Sequence, residues 1–131
     1  MVHITRMTDL HEGVELGPLR FPVSASANDR YWRAAGIAHP ARDARRLYPP
    51  MAANLTILLL QTLVTEPVLH TAQRLECHRG AEAGTELTVA GTVISRFARR
   101  GREYAVLEAI VALPDGRSLW TSTATFTPVA P

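Results

Sequence analysis

Lysine is missing from this 131-residue sequence, and all fourteen of its basic residues are arginine. Arginine stays protonated at any working pH, so a pI of about 9.2 overstates the field of a chain whose net charge is only +2. Nucleic-acid binding calls for clustered cations interleaved with exposed aromatics. The two arginine clusters, Arg42/Arg45/Arg46 and Arg96/Arg99/Arg100/Arg102, read instead as a solvated loop and hairpin. The second has the alternative of a patch for a phosphorylated small ligand. Cysteine occurs once, at Cys77, which excludes an intramolecular disulfide, and no Cys/His group has zinc-binding spacing. The longest apolar run, Met51 to Val64, includes Asn54, Thr56, Gln61 and Thr62. It is too short for a bilayer and suits a core helix. Met1-Val2-His3-Ile4-Thr5 lacks the charged-then-apolar plan of a secretory signal, so a cytoplasmic location is expected. Repeats, low-complexity tracts and long linkers are also missing.

What is present is ordinary globular composition, 47% apolar and 20% charged, at a length that suits one domain. Residues 1–15 are expected to be irregular. Leu16 to Val23 forms a short extended piece interrupted by Pro18 and Pro22. Ser24 or Ser26 caps a helix through about Ala35, closed by Gly36. Ile37 to Tyr48 is a loop, with room for a helical turn. Pro49-Pro50 starts a second helix through about Thr65, since proline is tolerated where first-turn amides lack partners. That helix is apolar nearly all round and belongs inside. Four strands are expected after it: Val68–His78, Glu86–Ala98, Tyr104–Leu113 and Arg117–Phe126. Arg99-Arg100-Gly101 and Pro114-Asp115-Gly116 make the tight turns of an antiparallel meander. One sheet covers one side of a helix, so the sheet must wrap. Pairing two such sheets edge to edge removes an exposed strand edge, which makes a homodimer the physical expectation.

These elements resemble the hotdog fold of the MaoC-like acyl-thioester hydratases and dehydratases, over roughly Gly17 to Pro128. The likeness rests on Tyr31-Trp32-Arg33-Ala34-Ala35-Gly36-Ile37-Ala38-His39-Pro40 followed by Tyr48-Pro49-Pro50-Met51. Gly84-Thr85-Glu86-Leu87-Thr88-Val89-Ala90-Gly91-Thr92-Val93 and the turn Pro114-Asp115-Gly116-Arg117 carry the rest. The resemblance implies an α+β hotdog, an antiparallel sheet wrapped around one central helix, dimeric. Its ligand would be an acyl thioester of coenzyme A or acyl carrier protein, in fatty acid metabolism, with no further cofactor and no metal. In catalytic members a loop reading Gly-Asp-x-Asn-Pro-x-His supplies an aspartate and a histidine that activate water. A backbone amide at the helix start then polarises the thioester carbonyl. Laid on this chain, Gly36 falls on the glycine, Ile37 on the aspartate, His39 on the asparagine, Pro40 on the proline and Arg42 on the histidine. Neither dyad member is present. Active hydratases have His-Gly at the helix start, where this chain has Pro49-Pro50, so the donor expected at position 50 is missing. The closer likeness is to the non-catalytic N-terminal half of double-hotdog, fatty-acid-synthase-like dehydratases.

Three functions are therefore weighed. One is an enzyme with a displaced acid/base pair, His39 with Asp43 four residues on, because histidine titrates near neutrality and a carboxylate can orient it. The plainer alternative is a loop-capping His39 and an Asp43 paired with Arg42, Arg45 or Arg46. The second function is a non-catalytic subunit that accommodates the acyl group beside a catalytic hotdog partner. The third is a thioesterase using Glu66. The expected groove lies beside the helix start, lined by Tyr48, Pro50, Met51, Ala52 and Asn54, with the Met51 and Ala52 amides facing it. Arg99 and Arg100, with Arg96 and Arg102, are the candidates for coenzyme A phosphates. Asn54 is read as a buried amide, with Thr56 and Gln61 more weakly so. Asp29 pairs with Arg33, Tyr31 and Trp32 belong to the core or pocket wall, His70 and His78 are solvated, and Cys77 is packed.

Overall fold

The computed structural model describes residues 6–36 and 38–130. In chain order these form β1 (Glu15–Pro22), α1 (Ala25–Ala35), the single turn α2 (Pro40–Asp43) and α3 (Ala52–Leu60), then β2 (Val68–Cys77), β3 (Glu86–Arg99), β4 (Arg102–Ala112) and β5 (Ser118–Pro128). All five strands make one antiparallel sheet in the order β1-β3-β4-β5-β2. The extended N-terminal piece is thus a full strand, paired with β3 from Glu15↔Thr92 to Pro22↔Glu86, and the sheet has one strand more than expected. Pro18 and Pro22 are tolerated there because β1 is an edge strand.

The sheet wraps around α3, which touches all five strands. Trp120 and Phe126 of β5, Leu107 of β4 and Leu87 and Val89 of β3 fill the space between them. The helix approaches the sheet tightly at Leu59. A Cβ on Gly17 would stand 2.8 Å from the Val89 carbonyl oxygen, and one on Gly91 2.9 Å from that of Glu108, each with a Leu59 methyl at 3.0 Å. Two side-chain-free positions on neighbouring strands therefore make the notch that receives the helix. One stripe of α3 stays open, with Asn54 exposed and Leu58 43% exposed.

The helix also differs from expectation at both ends. Its entry is a 3₁₀ turn, Pro49–Met51. It ends at Leu60, short of Pro67, where the Thr62 hydroxyl donates to the Leu59 carbonyl at 2.7 Å and the chain leaves in turns. A hydroxyl bonded to a local carbonyl competes with helix propagation. The N-terminal segment is more ordered than expected as well. Met7–Asp9 forms a 3₁₀ turn, and Met7 and Leu10 are buried in the core.

Candidate functional site

Ser24 caps α1 by accepting from the Ala27 amide at 3.1 Å, and Gly36 closes it in the left-handed conformation, φ 69°. Asn28 and Trp32, one turn apart, form the buried stripe of α1. Both donate to the Arg46 carbonyl, Asn28 Nδ2 at 2.8 Å and Trp32 Nε1 at 2.9 Å. Asn28 Oδ1 accepts from the Tyr48 amide at 2.9 Å. Asn28, only 3% exposed, thereby fixes the chain on both sides of Leu47 as it enters α3. An aromatic group completes the corner: His39 stacks on Trp32 (5.7 Å, 16°), Tyr48 meets Trp32 edge-on (4.9 Å, 63°) and lies along Tyr31 (6.2 Å, 25°).

Among the described residues, no hydrogen bond or ion pair joins His39 to Asp43. His39 Nδ1 accepts from the Ala41 amide at 3.0 Å, capping α2, so the ring nitrogen a carboxylate would orient is occupied. Asp43 is exposed and, among the described residues, joins no ion pair. Asp29 takes the arginines instead, Arg33 at 2.8 Å and Arg42 at 2.9 Å. The hydrogen bond from Arg42, then that from Arg33, holds the Asp29 carboxyl below its usual range. Ile37 lies outside the described residues.

At the start of α3 the amides expected to face a groove are taken up inside the chain. Met51 N–H donates to the Tyr48 carbonyl at 3.2 Å, and Ala52 N–H turns back to the Pro49 carbonyl. Both residues are buried, and Pro49 and Pro50 have no amide hydrogen. Asn54 is exposed, its Nδ2 donating to the Tyr31 hydroxyl at 3.3 Å. The buried polar residue of the helix is Thr56, bonded to the Ala52 carbonyl and to Ser122 Oγ, both at 2.7 Å. Gln61 is exposed.

A groove of about 440 Å³ opens beside the second half of α3 rather than its start. Ile57, Val64, Val68 and Phe126 make its apolar part, and Gln61, Thr65, Glu66 and His70 its polar rim. It exists because the chain leaves the helix after Leu60 while β2 runs on beyond the helix as an open edge. Glu66 is tied by accepting from the Met7 amide at 2.6 Å. His70 lies against Phe126 (5.0 Å), His78 bonds the Thr121 hydroxyl at 2.8 Å, and Cys77 is exposed on β2 rather than packed.

The hairpin arginines divide. Arg96 bonds the Met7, Thr8 and Leu10 carbonyls and pairs with Glu103 at 2.9 Å, while Arg102 donates to the Pro128 carbonyl at 2.9 Å. Arg99 and Arg100 are exposed at the β3–β4 turn, where Arg100 (φ 52°) and Gly101 (φ 77°) are both left-handed. β3 begins beside α1 and carries them to the opposite end of the sheet, away from the helix start. Asn28 was not foreseen as a site residue. Its signal is that it stands four residues before Trp32, a polar group on the apolar stripe of an amphipathic helix.

No family model matches the chain, and no curated protein matches it. Solved structures do. The MaoC-like dehydratase of Rhodospirillum rubrum is 20% identical, with TM-score 0.72, covering 95% of this chain and 96% of that one. The (R)-hydratase of A. caviae involved in PHA biosynthesis is 17% identical, TM-score 0.74, over 90% and 96%. The C-terminally truncated HadBC (3R-hydroxyacyl-ACP dehydratase) complex of Mycobacterium tuberculosis is 17% identical, TM-score 0.71, over 88% and 96%. The fold is the hotdog that these solved structures share. Within this hotdog, aromatic rings cover the helix start, while the α3 groove and the β2 edge are open. Among the described residues no helix is long and apolar enough to cross a membrane, and no group of acids, histidines and cysteine has the arrangement of a metal site.

Proposed function

We propose that this hotdog binds an acyl thioester, of coenzyme A or acyl carrier protein, and acts as the acyl-accommodating subunit beside a catalytic hotdog of the hydratase/dehydratase type. The observation that carries this reading is the state of the helix start. Addition of water to an enoyl thioester places negative charge on the carbonyl oxygen, and a donor aimed at that oxygen is worth about a hundredfold to a thousandfold in rate. Here two prolines have no hydrogen to offer, the Met51 amide serves Tyr48, and the Ala52 amide serves Pro49. The engaged His39 Nδ1 points the same way. The apolar floor of the α3 groove suits an acyl chain. The β2 edge, which pairs with no further strand among the described residues, suits pairing with a second hotdog, a copy of this chain or the catalytic partner. HadBC, a fold neighbour, is itself a complex. Glu66, occupied by the Met7 amide, gives the thioesterase reading little support.

The test is to incubate the purified chain with crotonyl- and longer enoyl-coenzyme A and follow loss of the enone absorbance. The measurement is repeated with a hotdog from the same genome that has an intact Gly-Asp-x-Asn-Pro-x-His loop. The chain alone is expected to be silent, and the pair to turn over faster than the partner alone. Turnover by the chain alone that disappears in His39→Ala overturns the partner reading and restores the displaced acid/base pair.

A further inference from the structure

The N-terminal segment is held with more polar chemistry than a strand-leading tail needs. Arg96 aims its guanidinium at three of its carbonyls, those of Met7, Thr8 and Leu10, and its side chain is only 17% exposed. Glu66 meets the same segment from the other side, accepting from the Met7 amide at 2.6 Å. Bonds with an ionised partner are about twice as strong as neutral ones. Between these two anchors the Met7 side chain is driven inward until it is fully buried. Its neighbours Arg6 and Thr8 face outward into a second cleft of about 490 Å³.

Glu66 lines both that cleft and the α3 groove. The contact of Glu66 with the Met7 amide therefore stands between the two clefts, and the Met7 side chain is buried in the core. Val64 and Phe126 line the groove and belong to the same core cluster as Met7. From this geometry we infer that Met7, latched by Glu66 and Arg96, is the stop that limits the length of apolar chain the α3 groove accepts. The inference rests on the acyl-binding reading above and adds its specificity-determining residue. An unbranched thioether is suited to the role, because it fills an irregular gap without a fixed shape.

The test is calorimetric titration of the full chain with butyryl-, octanoyl-, dodecanoyl- and palmitoyl-coenzyme A. Each methylene newly buried is worth about 0.8 kcal/mol, or about fourfold in Kd. In the wild type the gain per methylene is expected to stop at a definite length. Met7→Ala removes three side-chain heavy atoms and should move that limit by two or more carbons, tightening the next-longer ligand about tenfold or more while leaving butyryl-coenzyme A unchanged. Glu66→Gln, which retains an oxygen to accept from the Met7 amide, should keep the wild-type limit. Leu10→Ala, a cavity of similar size elsewhere in the segment, should lower thermal stability without moving it. If Met7→Ala does not fold, Met7→Val makes the same test with a smaller shift. An unchanged limit in a folded Met7 variant that binds butyryl-coenzyme A overturns this inference alone. Failure of every acyl-coenzyme A to bind the wild type overturns the acyl-binding reading and this inference with it.

Discussion

Replacing Asn28 with alanine tests how the corner above α3 is held. The substitution removes the donor at 2.8 Å to the Arg46 carbonyl and the acceptor at 2.9 Å for the Tyr48 amide. The two losses are unequal. Arg46 keeps the Trp32 indole as a donor, whereas the Tyr48 amide loses the acceptor it has among the described residues. An unsatisfied buried amide costs about 1–3 kcal/mol, so Asn28→Ala should destabilise by about 2 kcal/mol. For a domain of this length that lowers Tm by about 6–10 °C. Trp32→Phe keeps a ring against His39 and Tyr48 and leaves Arg46 bonded to Asn28, so it should cost about 1 kcal/mol. In the double variant the Arg46 carbonyl loses both donors at once. The combined loss should then exceed the sum of the singles by about 1 kcal/mol, as for residues sharing one partner. Urea unfolding followed by far-ultraviolet circular dichroism measures all three without depending on the substituted tryptophan. Strict additivity, or an Asn28→Ala loss below about 0.5 kcal/mol, refutes the shared-carbonyl account.

Three further outcomes follow from particular contacts. Gly91→Ala should destabilise by about 1–3 kcal/mol in urea, with part of the loss recovered in a Leu59→Val background, because the added Cβ meets a Leu59 methyl at 3.0 Å as well as backbone. Thr56→Val strips a buried bond from Ser122, which keeps Gln73 Nε2 at 2.7 Å as its donor, and should cost about 1–2 kcal/mol in urea unfolding. Titrating the urea midpoint from pH 6 to about pH 2 should separate Asp29→Asn from wild type. Arg42 and Arg33 lower the Asp29 pKa, so its contribution is present above the unfolded value near pH 4 and is lost as pH falls through the lower folded value. The two curves should converge in acid, and parallel curves would contradict the pairing.

Much of the architecture was legible because it depends on local rules. The turn residues at 99–101 and 114–116, the alternation along β5 and the apolar run around Leu55–Leu60 each state a period or a break without reference to the rest of the chain. β1 was harder to read, since two prolines suppress the strand signal and only its position at the edge of β3 makes them harmless. Asn54 and Asn28 illustrate the limit at the site. Both are single amides on helices with apolar neighbours, yet one faces the open stripe of α3 and the other the Arg46 carbonyl. Periodicity states that a helix has an inside; it does not state which way the inside points.

Composition and pattern by themselves determined that this chain carries an arginine-only charge set, a helix suited to enclosure and a meander to enclose it, because each follows from side-chain chemistry and spacing of 2 or about 3.6 residues. Only the tertiary structure decided what those residues are free to do. Whether the Met51 amide faces a ligand or Tyr48, whether Arg96 meets a phosphate or the Met7–Leu10 carbonyls, and whether Glu66 is a reactive acid or a latch depend on partners up to 89 positions away. A hydrogen bond is satisfied by whichever group lies within about 3 Å, and that proximity is made by folding.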